Sequence, residues 1–186
     1  MRYLLLYIIA IVFFSCEKHN PLVLNFSNES LELHNGVLKF EDQPFTGKLI
    51  AYFPDGNLKS EVYYKHGLKE GSEKQWYVDG KLALERFYIE GIKQSIHKSW
   101  WENGNVKFEY HFNDKGEFHG IVKEWYEDGI LFRDFNYENG KETGSQRLWK
   151  PDGSIKANYE VVNGERFGLI GLKKCYMVTV NKDEIE

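Results

Sequence analysis

Two cysteines, two methionines and four prolines stand in a chain of 186 residues, and each scarcity closes off a class of protein. With Cys16 at the end of an apolar run, only Cys175 is left, so no internal disulfide framework can form. The neighbours of Cys175 (Lys173, Lys174, Tyr176 and Met177) include no base to activate a thiol, so a packed, inert thiol is expected rather than a reactive one. A basic block is also missing. The 24 Lys and Arg alternate with 28 Asp and Glu to a net charge of −4, so the footprint of a nucleic-acid binder is absent. No stretch after residue 20 repeats apolar residues at helical spacing for three turns, which excludes a helical bundle. Nor is there a G-x-S-x-G elbow, a phosphate-cradling loop or a dinucleotide fingerprint.

The apolar run from Tyr3 to Phe14 has twelve residues, short for a membrane span of about 20. Met1-Arg2 supplies a positive start, and Ser15-Cys16 closes the run before the polar Glu17, Lys18, His19 and Asn20. Phe13-Phe14-Ser15-Cys16 resembles a loose lipobox, so residues 1–16 are expected to be a lipoprotein-type signal with Cys16 as the lipidated residue. An ordinary cleaved signal peptide and a short uncleaved anchor are the alternatives. All three place the domain outside the cytoplasm, and diacylation of Cys16 would hold it on a bacterial membrane.

What the chain has in quantity is glycine, in three phased series. Gly56, Gly80, Gly104, Gly129 and Gly153 are spaced 24, 24, 25 and 24 residues apart, each preceded by Asp or Asn. Gly67, Gly91, Gly116, Gly140 and Gly164 keep that period, as do Gly47, Gly71, Gly120, Gly144 and Gly168, with Ser95 in the one missing place. Such a period marks a stack of modules that each cover their neighbours. The arms beside each Asp-Gly or Asn-Gly are aromatic-rich and alternating, hence strands. The fold class is therefore all-β, an elongated antiparallel sheet of repeated β-hairpins.

Asp-Gly and Asn-Gly suit a two-residue type I′ turn. Taking Asp79-Gly80 as the loop sets Val78 against Lys81, Tyr77 against Leu82, Trp76 against Ala83, Gln75 against Leu84 and Lys74 against Glu85. The same counting sets Lys98 against Glu109, Lys123 against Asp134 and Arg147 against Asn158, a cation opposite an acid or amide each time. One face then carries Trp76, Trp100, Trp125 and Trp149 beside the cation row. The other carries Tyr77, Trp101 and Tyr126, then Leu82, Val106, Leu131 and Ile155, with Tyr64, Tyr88, Phe112 and Tyr137 near the strand ends, and should be the more buried.

Segments such as Gly71-Ser-Glu-Lys-Gln-Trp-Tyr-Val-Asp-Gly80 and Gly120-Ile-Val-Lys-Glu-Trp-Tyr-Glu-Asp-Gly129, with the linking Tyr137-Glu-Asn-Gly-Lys-Glu-Thr-Gly144, resemble the MORN-repeat variant, the membrane occupation and recognition nexus. Five such repeats are expected over residues 45–168. A spacer and capping hairpin (17–44, turning at Asn35-Gly36) precede them, and a capping strand and tail (169–186) follow. The resemblance implies a non-catalytic interaction module, in bacterial members of an antitoxin-like or immunity-like kind, and it carries over no catalytic residue. The expected partner is a protein at the cell envelope, such as an incoming toxin.

Three functions compete on this reading: a protein-binding sheet, a glycan-binding module stacking sugars on its indoles, and a hydrolase working from its loops. The six histidines have no metal-ligand spacing, and His97 and His111 face opposite sides by parity, so neither a metal nor a cofactor is expected. Glu61, Glu85, Glu109 and Asp134 form a regular column, three of them opposite a cation, which keeps them ionised and unsuited to general acid work. The Trp and Lys columns serve either recognition or the stack itself, each ring lying on the next. Selective contacts should concentrate where repeats differ, which singles out Trp101 and His97 beside the Trp76, Trp100, Trp125 and Trp149 column.

Overall fold

The computed structural model describes residues 21–171, and every regular element among them is a strand. They are β1 (Leu22–Asn25), β2 (Leu31–His34), β3 (Val37–Phe40), β4 (Gln43–Pro44), β5 (Gly47–Tyr52), β6 (Leu58–Lys65), β7 (Leu68–Trp76) and β8 (Leu82–Ile89). Next come β9 (Ile92–Trp100), β10 (Val106–Phe112), β11 (Phe118–Trp125), β12 (Leu131–Glu138), β13 (Lys141–Trp149), β14 (Ile155–Val162) and β15 (Glu165–Leu169). Strands β5 to β15 run as one antiparallel meander, and β1 adds to its first edge in parallel, giving a 12-stranded sheet. Cys16 and Cys175 lie outside the described residues.

The Asp-Gly turns differ from the two-residue expectation. The Tyr77 N–H donates to the Lys81 carbonyl and the Gly80 N–H to the Tyr77 carbonyl, both at 2.9 Å. Gly80 has a φ of +83°, whereas Asp79 stays out of the left-handed region. This is a three-residue loop, a type I turn closed by a left-handed glycine. The repeated Asp or Asn has a different job from supplying positive φ. Asp79 Oδ1 accepts the Lys81 N–H at 3.1 Å, and Asp55, Asn103, Asp128 and Asp152 do the same for the residue two places on.

The extra loop residue shifts the register by one, and a bulge then shifts it back. Gln75 lies opposite Leu84 but Trp76 lies opposite Leu82, leaving Ala83 as the added residue. Lys59, Lys107, Phe132 and Lys156 are the bulged residues of the other hairpins. Lys74 consequently still faces Glu85, as Lys98 faces Glu109, Lys123 faces Asp134 and Arg147 faces Asn158. Beyond the bulge the expected pairing fails. Leu82, Val106, Leu131 and Ile155 sit opposite Trp76, Trp100, Trp125 and Trp149, so that aliphatic row belongs to the tryptophan face.

Two-residue turns occupy the opposite end of the strands, where both loop residues have positive φ: His66-Gly67, Glu90-Gly91, Asn139-Gly140 and Asn163-Gly164. The turn at Asn113 to Glu117 is again a three-residue loop, which accounts for the single period of 25. The third glycine series marks a second row of register shifts. Gly71, Gly120 and Gly144 have φ of +70°, +91° and +60° inside their strands, and Ser95 adopts +62° at the same place. A β-carbon there costs about 1–2 kcal/mol, which is why glycine recurs.

The hairpin at Asn35-Gly36 is a type I′ turn with φ of +48° and +81°. It does not cover the first sheet edge. Strand β1, from the segment read as spacer, pairs with β5 there. The hairpin instead joins β4 in a three-stranded sheet, and its Leu31, Leu38 and Phe40 pack on Phe45, Leu49, Val62 and Tyr64. At the far end Val122, Phe135, Ala157, Tyr159 and Val161 form the second core cluster. Both clusters use one face of the sheet, the core face. The other is the ladder face.

Candidate functional site

The ladder face takes its name from charge. Glu61, Lys74, Glu85, Lys98, Glu109, Lys123, Asp134 and Arg147 lie directly opposite one another from β6 to β13, with the sign of charge alternating from strand to strand. Lys74–Glu85 closes at 3.2 Å and Lys98–Glu109 at 2.8 Å. Hydrogen bonds from His111, at 2.8 Å, and from Lys98 hold the Glu109 carboxyl below the usual carboxylate range. Exposed pairs of this kind contribute about 0.2–1 kcal/mol each, too little to hold a sheet, yet like charges would meet in a slipped register.

Trp76, Trp100, Trp125 and Trp149 flank the ladder, half-buried, and among the described residues none of these indoles stacks on another. Stacking between modules is therefore not what their repetition provides. The next residue links the modules instead, from the core face, by a hydrogen bond. The Tyr77 hydroxyl donates to the Trp100 carbonyl at 2.7 Å, Trp101 Nε1 to the Trp125 carbonyl at 3.2 Å and the Tyr126 hydroxyl to the Trp149 carbonyl at 3.1 Å. Trp101 thus repeats the role of Tyr77 and Tyr126, stitching one hairpin to the next, with Lys107 Nζ 4.3 Å above its ring.

His97 is a core residue, only 2% exposed, with its ring between Tyr88 and Phe112. Its Nε2 lies 2.8 Å from the Phe87 carbonyl, which can only accept, so that nitrogen carries the hydrogen. Phe87 sits at a register shift where the ladder leaves its carbonyl free, and Gln146 Nε2 serves the matching Asn136 carbonyl at 2.8 Å. His97 closes a bulge from within the core, which corrects the expectation of an exposed contact residue. Burial, together with the charges of Arg86 and Lys93, depresses its pKa against the opposing effect of that hydrogen bond. His111, as parity requires, faces the ladder side opposite Ile96.

A second row on the ladder face escaped sequence reasoning. Phe87, Ile89, Ile92, Ile96 and Ile121 are 40%, 48%, 43%, 41% and 36% exposed. Ile89 faces Ile92, Phe87 faces Gln94 two residues from Ile96, and His111 continues the row toward Ile121. The matching places in β12 and β13 hold Asn136, Glu138, Lys141 and Ser145. The signal was present as apolar residues at positions that β12 and β13 fill with polar ones, but it needed the bulge-corrected faces to be visible. Among the described residues no three His, Cys, Asp or Glu side chains converge as a metal site would require.

Three segments match the MORN repeat variant. They are residues 45–66, 93–114 and 118–141, which cover the β5–β6, β9–β10 and β11–β12 hairpins. The β7–β8 and β13–β14 hairpins lie outside the matched segments but have the same loop, bulge and Asx bond as the matched hairpins. No curated protein matches the chain.

Proposed function

We propose that this is a non-catalytic repeat protein that binds a protein partner at the bacterial cell envelope, anchored through a lipid on Cys16. The exposed row of Phe87, Ile89, Ile92, Ile96 and Ile121 carries the reading. A contiguous apolar strip beside a charged row is how a recognition surface departs from an ordinary one, and repeated positions do not require it. An extracytoplasmic sheet of this kind suits a partner that arrives from outside, such as a toxin, against which the chain would act as an immunity factor. The test places a photoreactive residue at Ile96 or at the matching Ser145 in cells of the native host. A protein adduct at Ile96 and none at Ser145 supports the reading, and equal labelling defeats it. Cys16→Ser should abolish fatty-acid labelling and release the protein from the membrane fraction.

A second reading rests on the half-exposed indole row. Trp76 lines a cleft of about 450 Å³ with Asn57, Leu58 and Val78, where a sugar ring could stack on the indole. Glycan-array binding lost in Trp76→Ala and kept in Ile96→Ser would favour it over the protein-binding reading.

A further inference from the structure

The core face is not uniformly filled. Between β8 and β11 a cleft of about 340 Å³ is lined by Arg86, Lys93 and His97 with the rings of Phe108, Tyr110 and Phe112. Neither Arg86 nor Lys93 enters an ion pair among the described residues. Glu73 lies opposite Arg86; against the opposing effect of burial, its carboxyl is held low by the direct ion pair to Lys69 at 2.7 Å, with help from the Arg86 charge. Lys69, Arg86 and Lys93 against Glu73 leave a surplus of two positive charges. Lys93 Nζ stands 5.4 Å over the Phe112 ring, at the mouth of the aromatic floor.

Packing does not ask for Arg86, whose places in the later hairpins hold Tyr110, Phe135 and Tyr159. A cation does recur at the place of Lys93, as Lys69 over the Tyr88 ring in β7 and Arg166 over the Tyr159 ring in β15, while β13 holds Glu142 there. A half-buried guanidinium without an ion pair gives up apolar burial that Phe135 gains at the matching site, so its presence points to something it binds.

We propose that this cleft binds an acidic peptide segment of the protein partner, with two carboxylates flanking an aromatic side chain. Arg86 takes one carboxylate, for which its planar fork is suited to two parallel hydrogen bonds, and Lys93 takes the other as a point charge. The aromatic side chain lies among Phe108, Tyr110 and Phe112 in offset or edge contact. Two carboxylates match the surplus of two charges, and the rings account for the apolar group between them. The inference rests on the partner-binding reading for the source of the peptide, while the cleft itself lies on the face opposite the exposed row.

The probe is acetyl-Glu-Phe-Glu-amide, titrated into the ¹⁵N-labelled full chain in mild detergent and followed by amide shifts. Acetyl-Gln-Phe-Gln-amide and inorganic phosphate are titrated in parallel. Saturable shifts confined to β8–β11, weakened at least tenfold by Lys93→Gln and by Arg86→Gln and absent with the Gln peptide, support the proposal. No saturation, equal binding of the Gln peptide, unchanged affinity in both variants, or phosphate alone saturating the same amides would overturn it. Lys93 is exposed, so its variant keeps the test decisive should Arg86→Gln unfold. Because the titration uses no partner protein, its failure is separable from a failure of the Ile96 crosslink.

Discussion

The β8–β9 and β12–β13 hairpins have the same length, the same two-residue turn and the same bulges, yet they distribute polarity in opposite ways. In β12 the core side takes Phe135 and the outside Asn136. In β8 the core side takes Arg86 and the outside Phe87. The same inversion recurs where Ile96 stands outside in place of Ser145 and Ile92 in place of Lys141. The backbone therefore tolerates either pattern, because hydrogen bonds, turn glycines and Asx bonds hold it. The β12–β13 pattern maximises burial, and the β8–β9 pattern gives up burial for exposed apolar surface and unpaired charge.

The largest effect that tests this contrast is in the core. Phe135→Ala, at 5% exposure, should lose about 3–5 kcal/mol in urea unfolding, whereas Phe87→Ala, at 40%, should lose about 1 kcal/mol or less. Equal losses would mean that both hairpins serve the stack alike. Next in size is Trp101→Ala, which removes half-buried ring area and the bond to the Trp125 carbonyl, about 1.5–3 kcal/mol. Trp101→Tyr should recover most of that loss, since Tyr77 and Tyr126 make the same stitch. If the tyrosine variant is as unstable as the alanine one, the stitch is not what stabilises the junction.

Acid should separate the hairpins more gently. The folded-state pKa of His97 is depressed, so below the ordinary histidine value the unfolded chain binds the extra proton. The folded sheet should thus lose stability as pH falls from the unfolded histidine value through the depressed one, and be unaffected above that window. His97→Gln, which copies Gln146, should flatten the melting temperature between pH 7 and pH 5. An unchanged slope would locate the acid sensitivity elsewhere. Ser95→Gly should be the smallest change, a gain of about 1 kcal/mol as the left-handed position loses its β-carbon.

How far the sequence carries depends on which positions repeat. The glycine phase revealed the hairpins, and opposite charges fixed Lys74 on Glu85 and Lys98 on Glu109 even though the turn type was mistaken. A three-residue loop and a bulge at Ala83 shift the register by equal and opposite steps, so charge pairs counted from either side agree. Rows between loop and bulge had no such protection, and the Leu82 row fell on the wrong face. Trp101 and His97 stood out because they differ in chemistry from their counterparts. Yet an indole N–H can replace a tyrosine O–H, and an imidazole N–H can replace the amide of Gln146. Difference of residue was therefore not difference of role. Phe87 and Ile96 went unnoticed because apolar residues in a strand look like core until the face is known. Strand β1 was hidden in a polar segment, since a parallel edge strand with Leu22 and Val23 half-exposed carries little alternation.

On the proposed reading, shared positions hold the sheet while the β8–β9 departures bind the partner. The direct measurement gives β8–β9 two of the exterior residues of β12–β13, as the double variant Phe87→Asn with Ile96→Ser, beside Tyr52→Ser, which removes an exposed ring from the same face at another hairpin. Each immobilised chain is challenged with an envelope fraction of the native host, captured proteins are quantified by mass spectrometry, and melting is recorded in parallel. The double variant should lose one captured protein at least tenfold while its melting temperature falls by no more than about 4 °C, and Tyr52→Ser should retain it. Equal capture by all three chains, or a loss that follows the melting temperature, would contradict that reading.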